Sequence, residues 1–321
     1  MTTYEHIPVL LNEVIEYLDP KPGHNFVDAT LGGGGYTKAI LDKNQPDGKV
    51  LAIDLDEDAI ENFKLQISNA KHPHPGPLPE GEGRAQIVQG NFSHIDKIVT
   101  HHKFDNISGI VADIGLSSYE LEHRGMSFQE KQPLDMRFDQ SQKADAKFIL
   151  NNYDETRLRK IFEDYGEEKF SRQIARKIQE SRSKNQIHYT TELYQIIQDA
   201  LPKPVKHKAD DSARRIFQAL RIEVNHELNN LQEFLPKAFD LLNTGGRLVV
   251  VSFHSLEDRI VKQFFVKLTQ GCVCPIDFPQ CLCGKNPQGK ILTKKLVSAS
   301  QEELDHNPRS KSAKLRAIIK I

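Results

Sequence analysis

The stretch VDATLGGGGYTKAIL, residues 27–41, joins a short apolar segment to a helical pattern through four consecutive glycines. Glycine tolerates backbone conformations that other residues avoid, so such a loop can turn tightly and let a ligand approach the main chain at the start of a helix. The dinucleotide-binding pattern GxGxxG is met only in part, because Gly32 and Gly34 fit whereas Thr37 occupies the third position. The loop therefore predicts a small-molecule site, and the neighbouring side chains must decide the ligand.

Two carboxylates follow predicted strands beside this loop. Asp28 ends the first strand, where it could meet a cationic amino group rather than a pyrophosphate. Asp54 ends the second strand, about 20 residues beyond the glycines, where an acidic side chain can accept both hydrogen bonds of a ribose diol. A ribose and an α-amino group without phosphate indicate S-adenosylmethionine. Two alternatives stay open: Asp54 as a helix cap in DLDEDAI, and Asp28 as a buried structural carboxylate.

Three later strand ends carry further candidate side chains. Phe92, in GNFS, could lie against an adenine ring, although core packing would explain it equally well. Asp113, in VADIGLSS, ends the fourth strand, where the methyl acceptor should sit. His254, in SFHSLEDR, closes the fifth strand and should also face the cleft. In the same motif, Ser255 and Asp258 match a helix capping box.

Strand and helix patterns alternate along most of the chain, which predicts an α/β fold with a parallel sheet and crossover helices. Residues 117–214 interrupt this order with helical periodicity alone. We therefore predict an α/β domain from residues 1–116 and 215–321, with an inserted helical domain near the carboxyl ends of the strands, where such sheets bind ligands. The helical pattern after residue 214 is expected to end at Gly245 and Gly246.

The net charge of −1 conceals an uneven distribution. Residues 285–321 hold 9 Lys/Arg against 3 Asp/Glu, and residues 156–185 hold 9 against 5. Basic segments of this kind can contact phosphates, although solvated helix faces explain each segment as well. No apolar run approaches the roughly 18 residues of a membrane span, and the N-terminus has no signal-peptide pattern, so we expect a cytoplasmic protein without membrane contact.

The four cysteines are confined to one short segment, CVCPIDFPQCLC. Cys272, Cys274, Cys281 and Cys283 form two CxC pairs, which could bind structural zinc or remain reduced thiols in a loop. The usual zinc knuckle has CxxC spacing, so we assign no metal. The Pro/Gly-rich residues 72–84 lack periodicity and are expected to form an exposed loop.

Eleven motifs in order resemble the bacterial 16S rRNA (cytosine-N4)-methyltransferases, the RsmH or MraW family. They are HIPVLLNEVIEYL, DATLGGGGYTKAIL, LAIDLDEDAI, GNFS, DIGLSS, RGMSF, PLDMRFD, YGEEKFSRQIARKI, IFQALRIEVNHEL, GGRLVVVSFHSLEDRIVKQFF and NPRSKSAKLR. Each motif alone is weak, but together they cover nearly the whole chain in the same order. The resemblance is therefore specific.

The resemblance implies a class I, Rossmann-like methyltransferase with an inserted helical substrate-recognition domain. S-adenosylmethionine would be the methyl donor, and the acceptor would be the N4 amine of one cytidine in the decoding region of 16S rRNA, in the small ribosomal subunit. Tyr36 stands where the family commonly has His, and Glu120 where it commonly has Gln. A homodimer is left open. The implied cofactor contacts are Gly34, Gly35, Tyr36, Asp54, Phe92, Asp113 and Glu120.

The chemistry of an exocyclic amine needs positioning but no covalent intermediate. We predict that Asp113, through its side chain or neighbouring carbonyls, accepts a hydrogen bond from the amine and helps to remove a proton. Methylation at cytosine C5 would need a nucleophile, usually Cys, yet no cysteine lies in a strand-end motif. His254 is the second candidate catalytic residue, in contact with the target base or its phosphate. Arg214, Arg215 and Arg221 are candidates for RNA contact, with packing or surface solvation as the alternative.

Two rival functions come from other classes. A nucleotide-dependent oxidoreductase could use the glycine loop for NAD, but it leaves Asp28 and the basic segments without a role. A noncatalytic RNA-binding assembly factor could retain a cofactor fold. Methyl transfer from S-adenosylmethionine to small subunits separates these functions from a methyltransferase.

Overall fold

The computed structural model describes residues 8–69, 84–115, 124–271, 274 and 284–321. Glu120, the cysteines at 272, 281 and 283, and loop residues 72–83 lie outside the described residues, so the predictions made for them are carried no further. Cys274 is partly buried.

The described secondary structure follows the predicted alternation. The strands are β1 (Asn25–Asp28), β2 (Val50–Asp54), β3 (Ala85–Gln89), β4 (Ile107–Asp113), β5 (Leu242–Ser252), β6 (Gly289–Ile291) and β7 (Lys314–Lys320). The helices are α1 (Leu11–Leu18), α2 (Gly35–Lys43), α3 (Glu57–Asn69), α4 (Ile95–His101), α5 (Ala146–Asn152), α6 (Glu155–Asp164), α7 (Ser171–Arg182), α8 (Thr190–Ala200), α9 (Ala209–Asn225), α10 (Glu227–Leu241), α11 (Ser255–Thr269) and α12 (Gln301–His306).

The seven strands form one sheet in the order β3-β2-β1-β4-β5-β7-β6. Strands β1 to β5 are parallel, whereas β7 runs antiparallel to both β5 and β6. The central order matches the Rossmann arrangement, which reverses its winding between β1 and β4 and binds ligands outside the carboxyl ends of the strands there. The predicted Rossmann-like α/β fold is therefore confirmed, with a reversed strand that the sequence analysis did not predict.

Both faces of the sheet are covered by apolar helices. One face packs Leu51, Ile110 and Val250 against Phe234 and Phe265 from α10 and α11. Each fully buried side chain of this size contributes roughly 1.5–3 kcal/mol relative to an exposed one. The opposite face packs strand residues against α1 and α2. This two-sided burial explains why the strands read as continuous apolar runs.

The chain divides into two compact units. The first consists of Met1–Gly115 with Asn230–Ile321, and the second consists of Leu116–Asn229. The second unit has its own core, which includes Phe162, Ile174 and Leu220. Helix α9 contributes Leu220 to that core, so the boundary expected at residue 214 falls inside a helix that belongs to the second unit.

The end of the helical pattern differs from the prediction. His226, at φ 53°, separates α9 from α10, and α10 ends at Leu241 rather than at Gly245 and Gly246. Both glycines lie inside β5, where the register with β4 is irregular. Gly245 has φ 84°, a conformation that glycine adopts without a Cβ penalty. None of the helices in the part of the chain that the structure describes has the length and apolar composition to cross a bilayer.

Candidate active site

Three aspartates stand at the carboxyl ends of neighbouring strands. Asp28 ends β1, Asp54 ends β2 and Asp113 ends β4. Because β1 pairs in parallel with both β2 and β4, the three side chains meet at one edge of the sheet. This edge carries the glycine loop as well, so the structure brings together the main features that the sequence indicated.

The glycines of the loop serve different purposes. Gly34 has φ 75°, and a Cβ there would lie 1.9 Å from the ring of Phe63. A Cβ on Gly35 would lie 2.2 Å from Cγ of Pro8. Gly32 has φ 49°, and its Cβ position has nothing within 4 Å among the described residues. Internal packing therefore requires glycine at 34 and 35, whereas Gly32 borders open space that a ligand can use.

Asp54 ties the loop to β2. Its Oδ2 accepts a hydrogen bond from the Gly32 main-chain N–H at 2.7 Å, and its Oδ1 accepts one from the Asp56 N–H at 2.9 Å. Burial raises the pKa of this carboxyl above its usual range. The first-turn N–H of α3 is instead bound by Asp56, whose Oδ1 accepts from the Asp58 N–H at 3.1 Å, so Asp56 rather than Asp54 caps this helix. A carboxylate has about four acceptor positions, so Asp54 retains capacity for a ligand.

Asp28 is fully buried beneath the loop. Its Oδ2 accepts a hydrogen bond from the Thr37 hydroxyl at 2.6 Å, and its Oδ1 accepts one from the Thr30 main-chain N–H at 3.3 Å. Burial raises its pKa to about 7, against the lowering effect of these two hydrogen bonds. Thr37, which broke the glycine pattern in sequence, is therefore the residue that binds Asp28.

Asp113 is the third carboxylate. The Tyr36 hydroxyl lies 3.0 Å from its Oδ2, the Gly115 N–H donates to its Oδ1 at 3.1 Å, and its own main-chain N–H donates to Thr30 Oγ1 at 2.7 Å. Burial raises the pKa of Asp113 to about 6, and the negative charge of Glu257 adds to the rise.

Tyr36 links α2 to this carboxylate and to the start of the described chain. Its hydroxyl also donates to the main-chain carbonyl of Val9. A hydroxyl carries one hydrogen, and a carbonyl can only accept, so a protonated Asp113 can donate to the Tyr36 oxygen in turn. The residue that differs from the common family pattern is thus a direct neighbour of the predicted base.

Phe92 begins a short 3₁₀ helix after β3. Its ring meets Phe234 edge to face, with 5.1 Å between ring centroids, and packs against the sheet core. The ring is partly exposed. Core packing accounts for one part of its surface, and stacking on an adenine stays a prediction for the rest.

The helix start after β5 differs from the predicted capping box. The N-cap of α11 is His254, whose Nδ1 accepts from the Glu257 N–H at 3.4 Å, and Glu257 accepts in return from the main-chain N–H groups of Phe253 and His254. The His254 Nε2 lies 2.9 Å from Glu257 Oε1, without the orientation of a hydrogen bond. His254 therefore has the local structural explanation that the sequence analysis did not find.

The predicted partner in that capping box has another contact. Asp258 accepts two hydrogen bonds from the Arg316 guanidinium of β7, at 2.6 and 3.0 Å. Lys320, also in β7, donates to the main-chain carbonyl of Leu242 at 2.7 Å. Part of the positive charge of the C-terminal segment is therefore used within the fold.

The three candidate arginines lie in the second unit. Arg215 binds the buried Glu168 at 2.7 Å, and Arg221 donates to both oxygens of Glu227 at 2.8 and 2.9 Å. Arg214 is exposed and pairs with Asp211. Packing contacts thus engage Arg215 and Arg221, while Arg214 keeps the exposure that an RNA contact needs.

Comparison with known proteins adds the family. The sequence matches the MraW methylase family over residues 3–321. The chain belongs to this family. The assignment confirms the resemblance drawn from the eleven motifs and makes the strand-tip carboxylates part of a methylase fold.

Relatives within the MraW methylase family align over nearly the full length. The chain is 44% identical over 320 residues to the ribosomal RNA small subunit methyltransferase H of Carboxydothermus hydrogenoformans, with 99% of this chain and 98% of that protein covered. The protein of the same name from Clostridium botulinum is also 44% identical, with 99% of each covered. A solved rRNA methylase from Streptococcus thermophilus aligns with a TM-score of 0.40 and 12% identity over 97% of this chain and 93% of that one.

Proposed function

We propose that this chain transfers a methyl group from S-adenosylmethionine to the N4 amine of a cytidine in the decoding region of 16S rRNA. The observation that carries the proposal is 44% identity, over 99% of the chain, to proteins named ribosomal RNA small subunit methyltransferase H. The carboxylates at the strand tips and the open space beside Gly32 support it from the geometry.

The described residues fit the proposed cofactor. Asp54 retains acceptor capacity for a ribose diol, and the main chain at Gly32 is open beside it. Asp28 stays a candidate partner for the α-amino group, and it orders the loop through its hydrogen bonds with Thr30 and Thr37. When bound, S-adenosylmethionine supplies an activated methyl group on its sulfonium.

Asp113 is the proposed base. The N4 amine must lose a proton as it gains a methyl group, and a carboxylate with a pKa of about 6 is mostly ionised at neutral pH while being a stronger base than an ordinary aspartate. The Gly115 N–H donates to this carboxylate and holds it in place. The protein thus orients the amine and provides a nearby site for the proton.

The acceptor and the location follow from the same proposal. The second unit and the exposed cations of the C-terminal segment would contact the RNA backbone around the target base. Enzymes that modify a base act on one that is unstacked. Association with the small subunit in the cytoplasm and a homodimeric state belong to this proposal as further expectations.

Methyl transfer is the direct test. The full chain would be incubated with tritiated S-adenosylmethionine and either small ribosomal subunits or free 16S rRNA from cells that lack this modification, and the product nucleoside would be identified by mass. We expect N4-methylcytidine at a single site. Labelled 5-methylcytidine, or no transfer to either RNA, would contradict the proposal.

Calorimetry separates the two rival functions. Binding of S-adenosylmethionine or S-adenosylhomocysteine without binding of NADH is the expected result, and the reverse preference would indicate an oxidoreductase. A chain that binds the sulfonium compound and RNA but transfers no methyl group would be a noncatalytic factor.

A further inference from the structure

The second unit contains a pocket that no part of the proposed transfer uses. Its volume is about 370 Å³, and it is formed around α5 and the end of α7. The residues that line it include Lys143, Asp145, Lys147, Phe148 and Arg182.

The lining is positively charged. Lys143, Lys147 and Arg182 face one acid, Asp145, whose Oδ1 already accepts the Phe148 main-chain N–H at 2.6 Å as the N-cap of α5. Within the described residues, no ion pair engages any of these three cations. The pocket therefore offers three cations to an anion from outside the chain.

Arg182 is held at the pocket wall by its neighbours. Its guanidinium donates to the main-chain carbonyl of Leu150 at 2.7 Å, which leaves other N–H donors available. Partial burial lowers the pKa of Arg182 from its usual value. A fixed, partly desolvated guanidinium binds phosphate at a lower entropic cost than a free surface lysine does.

An exposed aromatic ring stands beside these cations. Phe148 is 45% exposed although it is a large apolar residue, and its ring lies 6.5 Å from the ring of Tyr153. The Arg157 guanidinium covers Tyr153 at 3.5 Å from its centroid. Cations interleaved with exposed aromatic surface are the combination by which proteins bind single-stranded nucleic acid, since phosphates meet the charges and bases stack on the rings.

We infer that this pocket binds a single-stranded RNA segment, with a backbone phosphate held by Lys143, Lys147 and Arg182 and an unstacked base on Phe148. The inference rests on the proposed function. It names a contact with a part of the RNA substrate other than the target cytidine. An acidic peptide would satisfy the cations but would leave the exposed ring of Phe148 without a partner.

Fluorescence anisotropy tests the site with the full chain and a labelled single-stranded RNA of about 12 nucleotides. The double variant Lys143→Gln/Lys147→Gln should bind roughly tenfold more weakly, and its plot of log affinity against log salt should flatten by about 0.7 for each phosphate that the variant no longer neutralises. Phe148→Ala should weaken binding by about 5- to 100-fold with the salt slope unchanged, because it removes stacking alone. Phe148→Trp should retain the affinity.

The matched control comes from the first unit. Lys43 and Lys49 are exposed lysines outside the pocket and outside both basic segments, so Lys43→Gln/Lys49→Gln removes the same charge and should keep both affinity and slope. If pocket and control variants bind RNA equally well, the inference is wrong. Displacement of the RNA by a polyglutamate peptide of equal charge, at lower concentration than by unlabelled RNA, would also overturn it and indicate an acidic protein partner.

The outcome is distinguishable from that of the proposed function. If the pocket variants lose RNA binding and the parent chain transfers no methyl group, the pocket is an RNA site but the proposed methyltransferase function is wrong. If the pocket variants bind RNA normally and the parent chain methylates 16S rRNA, the proposed function holds but the pocket is not an RNA site.

Discussion

Asp113 and Asp28 lie on adjacent strands and both have raised pKa values, yet Asp28 is fully buried whereas Asp113 is partly exposed, so their surroundings suit different roles. One oxygen of Asp28 accepts from the Thr30 main-chain N–H and the other from the Thr37 hydroxyl of α2, so the fold already uses both oxygens. Asp113 touches a tyrosine hydroxyl and a glycine N–H at the open end of β4. A reacting amine could therefore reach Asp113 more readily than Asp28.

Asp113→Asn should abolish most of the turnover. An amide cannot accept the amine proton, and general base catalysis is worth about 10² to 10⁴ in rate. In the parent chain, kcat/KM should fall as pH drops through about 6, because protonation removes the base, and the variant should lack this inflection. The exposed Asp42→Asn is the matched control. Wild-type turnover by Asp113→Asn, with normal cofactor affinity, would exclude the role.

Asp28 should make stability depend on pH. Its folded pKa of about 7 lies above the value of 3.8 for a free aspartate, so the folded state holds the proton more tightly. The unfolding free energy therefore falls as pH rises from about 4 to about 7, by at most about 4 kcal/mol. Urea unfolding of the ligand-free protein at pH 5 and pH 8 should show about 2–3 kcal/mol of this loss, and Asp28→Asn should reduce it. Equal pH dependence in both proteins would contradict the assignment.

At the scale of elements, strand ends were predictable and helix starts were not. Asp54 could be placed at the tip of β2 because an apolar run followed by a helical pattern is a local signal. The sequence HSLED contains two possible capping pairs with an acid three residues after the cap, His254 with Glu257 and Ser255 with Asp258. Sequence alone favoured the second pair. The choice depends on Arg316, 58 positions later, which binds Asp258 and leaves Glu257 to the cap. Such a long-range contact leaves no local pattern.

His254→Asn tests whether the capping role is sufficient. Asparagine is a good N-cap, so this variant should retain the melting temperature and the turnover of the parent, whereas His254→Ala should cost about 1 kcal/mol. Thermal unfolding and initial rates would be measured for both variants. A large loss of turnover in His254→Asn at unchanged melting temperature would instead support the catalytic role predicted from sequence.

Two glycine variants separate packing from ligand approach in the loop before α2. Gly34→Ala should destabilise the fold by about 3 kcal/mol or more, because its Cβ overlaps Phe63 and its φ is 75°. Gly32→Ala should lower the unfolding free energy by about 1–2 kcal/mol, because the backbone at this φ is strained with any side chain. The added methyl group should also weaken S-adenosylmethionine binding, because it fills space that the cofactor needs. Denaturant unfolding with calorimetry checks both. If Gly32→Ala and Gly34→Ala lose similar stability and Gly32→Ala keeps its cofactor affinity, the two glycines do not have these separate roles.

At the scale of the molecule, the sequence predicted the alternating fold and the insertion but not two features. The residues of β7 do not show that it runs antiparallel to β5, because an apolar strand pattern is the same in both directions. The boundary at residue 214 was misplaced because α9 is apolar along one face, and periodicity does not say which core that face joins. Each compact unit has its own core, and the proposed cofactor and RNA sites fall in different units.

This separation predicts independent binding energies. Asp54→Asn should weaken S-adenosylmethionine binding by about tenfold or more, because the variant lacks one charged acceptor, and should leave the affinity for the short RNA unchanged. Lys143→Gln/Lys147→Gln should do the reverse. The triple variant should show both effects at their single-site size, since the effects of substitutions at sites without shared partners add within about 0.5 kcal/mol. Calorimetry for the cofactor and anisotropy for the RNA provide the two readings. A deviation of more than about 1 kcal/mol in the triple variant would mean that the two sites are energetically coupled.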